Sequence, residues 1–145
     1  WSSSWDAGQD FYLVRYAEVL LSLAEAYIEK GTQLGEAVNL INQVRNRAGM
    51  PSVEDVEGSN LPQSDLREIV RHERRVELAF EGLRLFDLYR WKQLKEATER
   101  INNEAATYNF WYEYRNFRGE QEYVWPIPQS ELDCNSMLEQ HALWK

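Results

Sequence analysis

Between His72 and Trp91 the chain sets Glu73, Arg74, Arg75, Glu77, Glu81, Arg84, Asp87 and Arg90 among large apolar residues. No other stretch limits the possible folds as much. A solvated helix keeps its charges on one face, but here they interrupt apolar positions on every side. Ile69, Glu73, Val76 and Phe80 follow helical spacing, which puts a carboxylate on an otherwise apolar stripe. Charges taken out of water need fixed partners, since removing one member of a buried pair costs about 3–5 kcal/mol. Arg74 with Glu77, Arg84 with Asp87, and Asp87 with Arg90 stand at i,i+3 spacing, close enough to pair on one helix. The spacing predicts a structural ion-pair lattice of Glu73, Arg74, Glu77, Arg84, Asp87 and Arg90 that locks two helices together. A catalytic carboxylate cluster is the competing use. Glycosidases, however, set their carboxylates across a cleft on different elements, whereas Glu73, Glu77 and Glu81 share one helix face beside arginines.

Apolar periodicity makes the remainder helical as well. From Phe11 to Lys30, Tyr16, Leu20, Leu23 and Tyr27 form one stripe, and Val14, Ala17, Leu21, Ala24 and Ile28 a second. Adjacent stripes predict a helix buried over much of its circumference. Gly31 stops it. Gly35 opens a second helix, with Ala37, Leu40, Ile41, Val44 and Ala48 on one side, ended by Gly49-Met-Pro51. The pair makes an antiparallel hairpin of tetratricopeptide size, and one such hairpin needs neighbours to cover it. Ser52 to Pro62 reads as a polar, acidic loop. Ser64 or Asp65 then caps a helix running to about Glu81, with Gly82 as its left-handed end. Leu83 to about Ile101 reads as one further helix, apolar nearly all round and so deeply buried in its first half. Pro126 and Pro128 make the tail an extended loop whose apolar side chains, Trp125 and Ile127, pack onto the helices. The expected fold is all-α: tetratricopeptide-like helical hairpins with irregular loops and an extended C-terminal tail, a single helical domain over residues 1–145.

Charge and composition remove several function classes. With 145 residues and a net charge of -8, the chain is a poor nucleic-acid ligand, because phosphate binding needs gathered Lys and Arg. Its arginines are interleaved with carboxylates instead. The one cysteine, Cys134, excludes an internal disulfide and a multi-cysteine metal site. His72 and His141 lack metal-ligand spacing with it. There is no Gly-rich phosphate loop, nucleophile elbow or plausible triad, so catalytic, cofactor-binding and metal residues are expected to be none. No apolar run reaches membrane-spanning length.

Arg71-His-Glu-Arg-Arg-Val-Glu-Leu-Ala-Phe-Glu-Gly82, continued by Leu-Arg-Leu-Phe-Asp-Leu-Tyr-Arg-Trp91, resembles the signature of the SusD/RagB family. Other segments agree in order: Arg15-Tyr-Ala-Glu-Val-Leu-Leu-Ser-Leu-Ala-Glu-Ala-Tyr27, Ile41-Asn-Gln-Val-Arg-Asn-Arg-Ala-Gly-Met-Pro51, and Trp125-Pro-Ile-Pro-Gln-Ser-Glu-Leu-Asp-Cys-Asn135. After Asn135 the chain departs from the family's usual Gln-Asn-Pro-Gly-Tyr and ends Gln140-His-Ala-Leu-Trp-Lys145. The resemblance implies a non-catalytic nutrient-binding lipoprotein on the outer-membrane surface of Bacteroidetes-type bacteria. It would capture an oligosaccharide and pass it to a SusC-type TonB-dependent transporter. Family members are several times longer, so the chain is expected to be a C-terminal portion. Its membrane link would be an N-terminal lipid anchor absent here. A tetratricopeptide-type protein–protein adaptor is the alternative from another class.

Tyr108-Asn-Phe-Trp-Tyr-Glu-Tyr-Arg-Asn-Phe117 is the best ligand candidate, with Trp111, Tyr112 and Tyr114 as the expected glycan-binding rings. Sugars offer flat C–H faces ringed by hydroxyls, and an aromatic platform among amides, carboxylates and Arg115 matches both features. The same rings equally suit capping the open end of a helical core, the commoner use of large aromatics.

Overall fold

Ala17, Leu20, Leu21, Ala24 and Ile28 share the buried face of helix α1 (Tyr16–Lys30) because they recur every three or four residues. Opposite them lie Ala37, Leu40, Ile41 and Val44 of α2 (Leu34–Arg47). Ala24 and Ala37 are fully buried, and their small size lets the helices approach closely. Gly31 makes the reversal with φ 69°, its amide bonded to the Ile28 carbonyl and that of Thr32 to Tyr27. A left-handed residue after a helix usually has to be glycine. The computed structural model describes residues 12–108 and 113–145. They form two compact units, the first ending at Gly82 and the second running from Leu83 to Lys145, and every regular element described is helical.

Two further helices complete the first unit. The short α3 (Val53–Glu57) buries Val53, and α4 (Gln63–Glu77) packs Leu66 and Val70 against α1 and α2. The Gln63 side-chain amide nitrogen donates to the Ile28 carbonyl, which the Gly31 amide also bonds, and so ties α4 to the end of α1.

Several element boundaries differ from the periodicity. α1 begins at Tyr16, since Arg15 is extended and holds partners elsewhere in the unit; Val14 is exposed and outside the helix, and Phe11 lies outside the described residues. Of its two expected stripes, the Ala17–Ile28 stripe and Leu20 are buried, whereas Tyr16 and Leu23 face solvent. Ala48 is likewise exposed. The polar loop contains α3, whose start is a capping box: Ser52 Oγ accepts from the Asp55 amide, and the Asp55 carboxylate accepts from the Ser52 amide. α4 begins at Gln63, before the expected Ser or Asp cap, and ends at Glu77 instead of Glu81. Its buried stripe is Leu66, Val70 and Arg74, followed by Leu78 just beyond the helix. Val76 and Phe80 are exposed, Phe80 in a left-handed turn at φ 65°.

In the second unit, the single helix expected from Leu83 to Ile101 is two: α5 (Arg84–Arg90) and α6 (Leu94–Tyr108). Lys92 adopts φ 57° between them, and the Gln93 amide closes α5 onto the Leu88 carbonyl. Tyr123 fixes this break. Its hydroxyl accepts from the Leu94 amide at 3.1 Å, capping α6, and the Lys92 ammonium lies 4.0 Å above its ring. Tyr89 and Phe117 meet the same ring edge-on, at 5.9 and 5.7 Å. Leu85 and Phe86 of α5 are exposed, not deeply buried. The tail is extended around Pro126 and Pro128, then turns into α7 (Gln129–Cys134), which Pro128 can precede because a helix's first amides need no internal partner. Trp125 is exposed instead of packing onto the helices.

Asn42 ties α3 to α2: its side-chain oxygen accepts from the Val53 amide and its nitrogen donates to Glu54 at 2.8 Å. That bond, ahead of a backbone bond, holds the Glu54 carboxyl below its ordinary pKa. Being depressed in the fold, it contributes stability above the unfolded carboxyl pKa of about 4.3 and loses it as pH falls through the lower folded value. In Asn42→Ala, the Glu54 midpoint followed by carboxyl carbon NMR should rise toward the ordinary value. An unchanged midpoint would show that the bond does not form in solution.

Candidate functional site

Arginines join the helices of the first unit through carboxylates, four of them around Glu25, Glu73, Glu77 and Glu81. Arg15 reaches Glu77 at 2.9 Å and Glu81 at 2.7 Å, and also donates to the Glu77 main-chain carbonyl at 2.8 Å. A cation on a terminal carbonyl is favourable at the negative end of a helix, so Arg15 closes α4 where its ladder stops. Hydrogen bonds donated to Glu81 and then Glu77 raise the Arg15 pKa, and the guanidinium stays charged throughout the accessible range. Arg47 takes the other Glu77 oxygen at 2.6 Å, Arg45 pairs with Glu73 at 2.7 Å, and buried Arg74 lies 3.7 Å from buried Glu25 and donates to Ser22 Oγ at 3.0 Å.

These partners are not the ones helical spacing suggests. Glu77 turns to Arg15 and Arg47 instead of Arg74, while Arg74 turns to α1. In the second unit, Arg90 does bond Asp87, with 2.9 Å from both Nε and Nη2. Both Arg84 and Arg90 lie over the Trp91 ring, at 5.7 and 4.7 Å. Carboxylates whose oxygens are taken up by guanidinium groups suit a scaffold better than proton transfer. Among the described residues, no group of acidic, His and Cys side chains is placed to hold a metal.

Of the expected glycan-binding rings, Trp111 and Tyr112 lie outside the described residues, and Tyr114 is 71% exposed. The backbone beside Tyr114 is pinned: Asn102 of α6 donates to the Arg115 carbonyl at 2.7 Å and accepts from its amide at 3.2 Å. Periodicity could not reveal this link, although an Asn on a helix facing an aromatic loop is its sequence trace.

Two clefts stand out. One, of about 490 Å³, opens in the first unit beside Leu34, Val38, Val53, Leu61 and Leu66, with Glu54 at its wall and no aromatic ring in its lining. The other, of about 280 Å³, lies in the second unit between Tyr89, Trp125, Pro126 and Trp144, with Arg118 and Glu122 beside them. Only the second combines rings with polar groups in the manner a sugar requires.

The SusD family's sequence profile matches residues 2–144. The chain belongs to the SusD family. It is 37% identical over 136 residues to SusD-like protein P2 of Formosa agariphila, covering 92% of this chain and 25% of that protein. SusD-like protein P38 of the same organism is 32% identical over 135 residues, covering 90% and 24%. Among solved structures, a SusD homolog from Bacteroides thetaiotaomicron superposes with a TM-score of 0.72 at 33% identity, over 90% of this chain and 26% of that one. A SusD-like protein from Bacteroides fragilis gives 0.70 at 28% identity, over 89% and 25%. The chain thus spans about a quarter of the length of these relatives. SusD proteins are generally glycan-binding and non-catalytic, and are associated with the outer-membrane surface and with SusC-type transporters. No described helix of this SusD-family chain is long and apolar enough to cross a membrane.

The pairs differ in exposure, and so should their energetic weights. Arg74→Ala leaves buried Glu25 short of its cation and should destabilise the chain by about 3–5 kcal/mol. Arg67→Ala, which loses a two-bond surface pair with Glu29, should lower the melting temperature much less. Equal shifts in thermal melts of both variants would contradict this ranking.

Proposed function

We propose that this chain serves in a non-catalytic cell-surface protein that captures an oligosaccharide, or another nutrient polymer, and passes it to a SusC-type TonB-dependent transporter in the outer membrane. The observation that carries this reading is the SusD family match along nearly the whole chain. Two features of the molecule agree with it. The Glu73 and Glu77 carboxylates that a hydrolase would need are engaged by Arg45, Arg15 and Arg47. Tyr114 is an exposed ring beside a pinned backbone, the state expected of a stacking platform and not of a packing residue. Trp111 and Tyr112 are proposed to share that role. Attachment to the surface would come through a lipid anchor.

An adaptor that binds a protein partner is the second reading, favoured by Tyr16, Val19 and Leu23, which leave part of α1 apolar and exposed. Calorimetric titration of the chain with a panel of neutral oligosaccharides separates the two. Saturable binding without release of reducing sugar is expected, and Tyr114→Ala should weaken it with the helical circular dichroism intact. Release of reducing sugar would overturn the non-catalytic reading, and a chain that binds no glycan but does bind protein through α1 would favour the adaptor.

A further inference from the structure

One ring of the second unit's cleft differs from packing aromatics: Trp125 is exposed and yet held, between the half-buried Tyr89 and Trp144. Trp125 is 76% exposed, but the backbone on both sides of it is fixed. The Trp144 indole nitrogen donates to the Val124 carbonyl at 2.8 Å. Gln140 accepts from the Ile127 amide at 3.0 Å and donates to the Ile127 carbonyl at 2.9 Å. Pro126 and Pro128 restrict φ on either side of Ile127. A large apolar ring kept in water on a stiff backbone has little ordering entropy left to lose when a ligand covers it.

Polar groups stand beside the ring. Arg118 Nε donates to Glu122 Oε1 at 2.8 Å, and the Arg118 amide bonds the same oxygen at 3.2 Å. Both bonds use Nε or the backbone and a single carboxylate oxygen. The guanidinium Nη groups and Glu122 Oε2 therefore retain capacity to donate to and accept from a ligand. The guanidinium carbon sits 5.9 Å from the Trp144 ring centre, which limits its movement. Arg118 and Glu122 cancel in charge, and the chain carries a net charge of -8, so an anionic polymer gains nothing here. At about 280 Å³ the cleft falls just below the size usual for drug-like ligands, about 300 Å³ and upward, which suits one ring and not an extended chain.

We propose that this cleft is a sugar subsite, in which the Trp125 face stacks on one neutral pyranose ring while Arg118 and Glu122 bond adjacent hydroxyls. The proposal rests on the glycan-capture reading above and adds a site separate from the Tyr108–Phe117 segment.

The test is titration of the 145-residue chain with maltoheptaose, laminarihexaose, xylohexaose and mannohexaose, followed by calorimetry and by the indole N–H signals in NMR. For at least one probe, Trp125→Ala should weaken binding by about tenfold or more, with Trp125→Phe retaining most of the affinity. Glu122→Gln should weaken it severalfold, and the Trp144 indole signal should shift on saturation. Trp125 is exposed, so unchanged circular dichroism is expected for its variants. If Trp125→Ala and Glu122→Gln bind like the parent while Tyr114→Ala does not, the subsite is wrong and glycan capture stands. If no probe binds the parent chain, the subsite and capture by this chain fail together.

Discussion

Arg15 sits where the first unit would otherwise come apart. It is the last extended residue before α1, yet its guanidinium reaches the final carbonyl of α4 and the carboxylates of Glu77 and Glu81. One side chain thereby sets where one helix begins and another ends. The apolar core of α1, α2 and α4 is small, and apolar contact alone tolerates sliding of one helix along another. Directional ion pairs do not. Arg45 to Glu73, Arg47 to Glu77 and Arg74 to Glu25 each connect different helices, so they fix the register that the apolar stripes leave loose. Buried pairs are weak sources of net stability but strong penalties against alternatives, because any shift strands a charge.

The second unit solves the same problem with one aromatic residue. Tyr123 caps α6 through its hydroxyl, draws Lys92 over its face, and receives Tyr89 and Phe117 at its edges. This arrangement keeps the short α5 from continuing into α6 and holds the loop that carries Arg118 and Glu122. Gln140 and Trp144 then do for the proline-rich stretch what Asn102 does for Arg115: side chains take over backbone hydrogen bonds where no helix can form.

How much of this was legible follows from the range of each interaction. The hairpin of α1 and α2 was, because Ala17 to Ile28 and Ala37 to Val44 repeat at helical spacing and Gly31 marks the reversal. The helix at Val53 carried a local sign, Ser52 followed three residues later by Asp55, which the acidic composition of the loop masked. The break at Lys92 had no such sign, since left-handed backbone is usually marked by glycine, and here a distant tyrosine supports it. Partner choice was the least legible. Glu77 has Arg74 three residues away, yet is bonded to Arg15, just ahead of α1, and to Arg47 of α2, and sequence spacing holds no information about those distances. The same limit applies to the Trp125 cleft. Its members, from Tyr89 to Trp144, are scattered over the whole second unit.

The two units also differ in what their charges have left to offer. In the first, Arg15 spends Nε, Nη1 and Nη2 on Glu77 and Glu81, and Glu77 uses both carboxylate oxygens. A group whose nitrogens or oxygens are each already bonded can hold a fold, but recognising a hydroxyl then competes with those bonds. In the second, Arg118 and Glu122 meet through one nitrogen and one oxygen, beside a tryptophan that faces water. The pair is neutral and partly unsatisfied, and the adjoining ring gains from being covered. Such a combination leaves hydrogen-bonding capacity and apolar surface open to a ligand, which is why recognition is better sought around Trp125 and Tyr114 than in the denser lattice of charge that dominates the sequence.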